Sequence, residues 1–161
     1  MKILIVGSNT SALELLTWFQ ELAAGKPAQD LLEWSEGVSE LELEITHTDQ
    51  AEEAIRLART DQYVIFISLI GISIPGETRK GINWGRFKRF EWAEKDGAWV
   101  LTQIKPDRRC KRKVAVITVD PGRIRQLCSS LDLAGVVPSS LGPRTKKAIL
   151  EYLVRVAQNE S

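Results

Sequence analysis

The sequence predicts an α/β fold built on a single parallel sheet with helices on both faces, and three observations carry that reading. Short apolar strands and amphipathic helices alternate five times along 161 residues, the pattern that parallel crossovers produce. Tyr63 to Leu69 is a nearly continuous apolar, β-branched run, as in a central strand covered on both faces. Lys2 to Val6 is a strand that stops at the small residues Gly7, Ser8 and Asn9, where an open sheet places its working groups.

The elements follow in order. After the first strand, Ser11 and Glu14 have capping-box spacing, and Leu15, Leu16, Phe19 and Leu22 give a helix that ends near Gly25. Residues 25–40, with Pro27 and Gly37, read as a loop carrying at most a helical turn at Leu31 to Trp34. Leu41 to Thr46 alternates apolar residues with glutamate and predicts a half-solvated edge strand. Asp49 and Glu52 start a second helix through about Ala58, ahead of the central strand. From Ile70 to Trp92 periodicity fails and glycines recur at 71, 76, 81 and 85, which predicts a long loop. Lys95 to Ile104 reads better as a helix than as a hairpin turning at Asp96-Gly97. The basic stretch "KPDRRCKRK" leads to a strand over Val114 to Thr118, and Asp120-Pro121 opens a further helix. Gly135 to Pro138 is a short strand. Gly142-Pro143 begins a last helix with Ala148, Ile149, Tyr152, Leu153 and Val156 on its apolar face. One domain over 1–157 with a tail at 158–161 accounts for the length.

Composition narrows the function classes. Hydrophobic residues at 43% and charged residues at 27% suit a folded globular domain rather than a disordered chain. The longest apolar stretch is too short and broken to span a bilayer, and no signal peptide is recognisable, so a cytoplasmic protein with no membrane partner is expected. Cys110 and Cys128 lack metal-ligand spacing and read as reduced thiols. Charge is unevenly spread: residues 1–62 carry 12 acidic and 4 basic side chains, residues 63–161 carry 9 and 18. An acidic partner would therefore meet the second half of the chain.

Ligands of such folds sit beyond the carboxyl ends of the strands, which nominates Gly7 to Thr10, His47, Ser68 to Ile70, Thr118 to Asp120 and Pro138 to Ser140. A dinucleotide site needs several glycines after the first strand, and "GSNTSA" has one. His47 stands alone, without the second ligand a metal requires, and reads as a solvated strand-end residue.

In order and spacing the chain resembles the response-regulator receiver family. "KILIVGSN" is similar to its first strand, "THTDQAEEAIRLA" to its second strand and helix, "YVIFIS" to the strand ending at the phospho-acceptor, "KDGAWVLTQIK" to its third helix, "KVAVITV" to its fourth strand and "LAGVVPSS" to the approach to its lysine. The resemblance implies a flavodoxin-like sheet in the order 2-1-3-4-5, with 25–40 and 70–92 as insert loops. Carried over by position, the family's metal-binding acids fall on Gly7 and Ser8, its acceptor aspartate on Ser68, its hydroxyl residue on Thr118, its lysine on Ser139, the following proline on Ser140 and its switch aromatic on Val136. Glycine and serine offer magnesium almost no ligand, and a serine cannot form an acyl phosphate. A degenerate receiver site is thus implied: a neutral polar pocket, no catalysis, no metal, no cofactor, and signalling through a protein partner or a second copy of the chain.

"RKGINWGRFKRF", residues 79–90, has five basic and no acidic side chains with aromatics between them. Trp84, Arg86, Phe87, Lys88 and Arg89 are accordingly the candidate partner-binding residues, against the alternative of a solvated loop whose aromatics cover the sheet edge. Two other functions remain open at this stage. One is a nucleic-acid adaptor using 79–90 with the basic cluster 108–113, although these lie at opposite ends of the sheet. The other is a small-ligand or nucleotide sensor using the neutral pocket.

Overall fold

The computed structural model describes residues 1–25, 42–104, 113–118, 122, 135–138 and 140–160. Its strands are β1 (Lys2–Val6), β2 (Glu44–Thr48), β3 (Val64–Ser68), β4 (Lys113–Thr118) and β5 (Gly135–Pro138). All pair in parallel, in the order β2-β1-β3-β4-β5. Helices α1 (Thr10–Ala23), α2 (Ala51–Thr60), α3 (Gly76–Lys80), α4 (Trp92–Ile104) and α5 (Pro143–Glu160) connect and cover them. The loops around Leu31 to Trp34 and at Arg108 to Arg112, the helix opening at Asp120-Pro121, both cysteines and Ser139 lie outside the described residues.

Alternation along β1 builds two cores. Ile3 and Ile5 face one side with Phe66, α1 and α5, while Leu4 and Val6 face the other with Ile65, Ile67, α2 and α4. Every residue of β3 is buried, as its unbroken apolar run requires. Each large apolar side chain fully buried there stabilises the fold by about 2 kcal/mol. Outside the core, the Lys2 ammonium bonds Asp61 just after α2. That bond, helped by the Gln62 amide, holds the Asp61 carboxyl below its usual value. Among the described residues no helix is long and apolar enough to cross a membrane.

Several boundaries differ from the sequence reading. The α1 cap is Asn9, whose side chain accepts from the Ala12 amide (3.4 Å), and not Ser11 with Glu14. Trp18 is buried on α1 where Leu16 and Leu22 were expected to lead, because burial follows the positions facing β3 and α5. Strand β2 begins at Glu44, and α2 is entered from Gln50 without a side-chain cap. On α5, Leu150 is buried and Ala148 is exposed. The stretch expected to be an irregular loop holds α3 and a 3-10 turn over Trp84–Phe87.

The segment over 90–101 is helical, and α4 starts three residues before the predicted Lys95. The Glu94 carboxylate reaches back to the Glu91 amide (3.3 Å), a capping-box contact that starts the helix early. Gly97 therefore lies inside a helix, where glycine costs about 1 kcal/mol relative to alanine. The cost is offset by a close approach: a Cβ at Gly97 would sit 2.4 Å from both the Cα and the carbonyl oxygen of Leu69. Helix α4 thus rests directly on the backbone that leaves β3. Gly97→Ala is expected to lower stability by about 2 kcal/mol or more in urea unfolding. Gly76→Ala, with nothing within 4 Å of its added carbon, should change it by less than about 0.5 kcal/mol.

Candidate functional site

The carboxyl ends of β1 and β3 meet at Gly7 and Ser68. Gly7 has φ +127°, a conformation side chains rarely adopt, and a Cβ there would lie 2.9 Å from the Ser68 Cβ. Its amide donates to the Thr48 carbonyl at the end of β2 (2.9 Å). The His47 Nε2 lies 2.6 Å from the Gly7 carbonyl oxygen, so His47 is bound to the backbone here although its ring is exposed. Ser68 is 1% exposed, and its hydroxyl oxygen accepts from the Ile70 amide (3.4 Å). The sheet register places Thr118 at the end of β4, one residue beyond Ile117, which pairs with Ser68.

The chain leaving β3 then crosses the end of β1. Gly71, at φ +80°, offers its carbonyl to both the amide (3.0 Å) and the hydroxyl (3.1 Å) of Ser8. A Cβ on Gly71 would come within 2.8 Å of the Asn9 nitrogen. Two residues on, Ser73 pairs with the continuation of β2: its amide donates to Asp49 (2.7 Å) and its carbonyl accepts from Ala51 (2.8 Å). The neutral pocket expected between Gly7, Ser8 and Ser68 is narrowed where the Gly71 backbone lies against Ser8 and Asn9, while Ser8 itself stays exposed. These residues bring together hydroxyls, an imidazole and peptide groups, a set without the carboxylates that hold magnesium. Among the described residues no three His, Cys, Asp or Glu side chains gather as metal ligands.

The basic segment is built differently from an open loop. Phe87 is 8% exposed and Trp84 is half-buried against the core beside α4, so these two aromatics are turned inward. Phe87 therefore reaches the surface only as part of the lining of a groove beside α4. Arg86, Lys88 and Arg89 point outward. The segment is held by Arg79, which the sequence reading did not single out. Its guanidinium makes two 2.9 Å hydrogen bonds to the Asp96 carboxylate and lies 5.0 and 4.6 Å from the ring centroids of Trp84 and Trp92. The Trp84 Nε1 in turn donates to the Arg79 carbonyl (3.2 Å). Trp92, also missed, is 62% exposed. No local spacing announces a pair separated by 17 residues. Grooves among the described residues lie beside the helices. One of about 500 Å³ runs between α1 and α5 past Leu13, Trp18 and Lys146, and one of about 440 Å³ runs between the 3-10 turn and α4 past Arg86, Trp99 and Gln103.

The architecture is similar to the receiver domain of a sensor histidine kinase from Pseudomonas aeruginosa, solved with magnesium coordinated in its active-site cleft. The TM-score is 0.51 at 12% sequence identity, over 95% of this chain and 96% of that one. The fold is that of a receiver domain. No family model and no curated protein matches the sequence. Within this receiver fold, α4 carries both Asp96 and Gly97, so one helix clamps the backbone after β3 and anchors the basic segment.

In the Arg79–Asp96 pair a single guanidinium nitrogen, Nη1, bonds both carboxylate oxygens, and the pair is mostly shielded, with side-chain exposures of 27% and 14%. Such pairs are worth more than open surface pairs, whose contribution is about 0.5 kcal/mol. Arg79→Ala and Asp96→Ala are each expected to cost about 2 kcal/mol in urea unfolding, with a coupling of about 1 kcal/mol or more in the double-mutant cycle.

Proposed function

We propose that the chain is a degenerate receiver domain that signals through phosphorylation-independent contact with a protein partner, without enzymatic activity. In this reading residues 1–157 form one flavodoxin-like domain in the cytoplasm, and 70–92 is an insertion after the third strand. The receiver fold supports a signalling module. One observation carries the rest: the Gly71 backbone lies on Ser8 and Asn9, over the site where a receiver would bind its metal and phosphate.

The residues present do not fit that chemistry. Magnesium takes hard oxygen ligands, and Gly7 and Ser8 supply no carboxylate. Ser68 is buried, bonded to a backbone amide, and lacks the carboxylate from which an acyl phosphate is made. An acid cannot simply be restored at Gly7, because its φ and the Ser68 Cβ both oppose any side chain. With that chemistry unsupported, the chain in this reading acts through its surfaces.

Incubated with magnesium and acetyl phosphate or phosphoramidate, the protein should gain no hydroxylamine-sensitive phosphate, and its intact mass should stay unchanged. Ser68→Asp should behave in the same way, since the metal ligands remain missing. A stable acyl-phosphate adduct on the wild type would sink this reading.

A further inference from the structure

With Trp84 and Phe87 turned inward, the face that the insertion offers to solvent is a different set from the one its sequence suggests. Lys80, Arg86 and Lys88 are exposed, and Trp92 presents the most exposed large apolar side chain of the described residues. They belong to one compact unit, because Trp92 lies 5.9 Å from Trp84 and Trp84 lies 6.4 Å from Phe87, ring centre to ring centre. Beside them runs the 440 Å³ groove, with Arg86 and Asn83 on one wall and Trp99, Thr102 and Gln103 of α4 on the other.

We infer that this face docks an acidic segment of a protein partner, a peptide in which carboxylates alternate with apolar side chains. The inference rests on the partner-contact reading above and names the chemistry of the partner. Charge complementarity selects the sign: residues 79–90 carry five cations and no acid, Asp96 neutralises Arg79, and Lys80, Arg86 and Lys88 are exposed. The exposed indole selects an apolar side chain as the second element, because a large aromatic at the centre of a charged rim is the usual anchor of a protein interface. The groove supplies amide and hydroxyl groups that hydrogen-bond a peptide backbone.

One detail disfavours a nucleic acid on the same face. A phosphate backbone needs an unbroken positive track, and exposed Glu77 and Glu91 interrupt this one, Glu77 within the groove itself. A peptide with spaced carboxylates avoids that obstacle.

The test uses the full chain and fluorescence anisotropy with three probes: a labelled peptide of repeated Glu-Leu-Asp-Phe units, its counterpart with lysine at every acidic position, and a short oligouridylate. The acidic peptide should bind, and the other two should not. Trp92→Ala should weaken it about tenfold, with Trp92→Phe recovering most of the loss. Arg86→Glu and Lys88→Glu should each weaken it severalfold, while Arg144→Glu, which reverses an exposed cation on α5, should leave it unchanged. Thermal melts of each variant check that the fold is kept. Absence of acidic-peptide binding, equal losses with Arg144→Glu, or tighter binding of the oligouridylate would each overturn the inference. Failure here, with the wild type still refusing phosphate, removes the acidic partner and leaves the degenerate-receiver reading standing. Phosphate uptake removes that reading whatever the peptide does.

Discussion

The carboxyl end of the sheet depends on backbone packed against backbone. Leu69 lies under Gly97 of α4, and two residues later Gly71 lies on Ser8 and Asn9. At each point the approach is closer than any Cβ permits, so glycine is a steric requirement on both sides of one short segment. Positive φ at Gly7 and Gly71 adds a conformational requirement to the steric one. The hydrogen bonds from Ser8 to the Gly71 carbonyl, and the pairing of Ser73 with Asp49 and Ala51, then fix the crossing in register. A polar cleft left open at this place would need water or ions to satisfy its peptide groups. Here those groups satisfy one another.

This arrangement ties together features that look unrelated along the chain. Helix α4 is entered three residues earlier than its apolar spacing suggests because Glu94 caps it. The early start puts Asp96 and Gly97 within one turn of helix. Gly97 then sets how closely the helix lies on Leu69, and Asp96 receives Arg79 from the basic segment. Moving the helix would therefore disturb both the crossing over β1 and the surface of the basic segment.

How much of this was legible in the sequence follows from the range of each interaction. The parallel α/β sheet and the fully buried β3 follow from local periodicity and the alternation of elements, and the placing of β1 between β2 and β3 from the resemblance to receivers. Helix against hairpin at Asp96-Gly97 was decided correctly, because the flanking apolar positions repeat at helical spacing. Caps were less legible: Ser11 with Glu14 has the right spacing for a box, yet Asn9, nearer the strand, takes the role. The narrowing of the cleft was not legible at all. It depends on Gly71 meeting Ser8, residues 63 apart in sequence, and nothing in "IGISIPG" says which way the chain turns after the strand.

The segment over 79–90 is the case where a signal was present and went unread. Its sequence interleaves aromatics and cations, which suggests a mixed surface. Trp84, Phe87 and Phe90, however, recur every third residue, the repeat of a 3-10 helix, whose side chains at i and i+3 lie on one side. The described turn spans Trp84 to Phe87, and the Phe90 amide continues the same spacing by donating to the Phe87 carbonyl (2.9 Å). All three rings thus fall on the protein side, Phe87 buried and Trp84 and Phe90 packed on the core formed by α2, α4 and the sheet. The same geometry sends Arg86 and Lys88 outward. A three-residue period has sorted an interleaved sequence into an apolar underside that holds the segment down and a cationic outer face exposed to solvent.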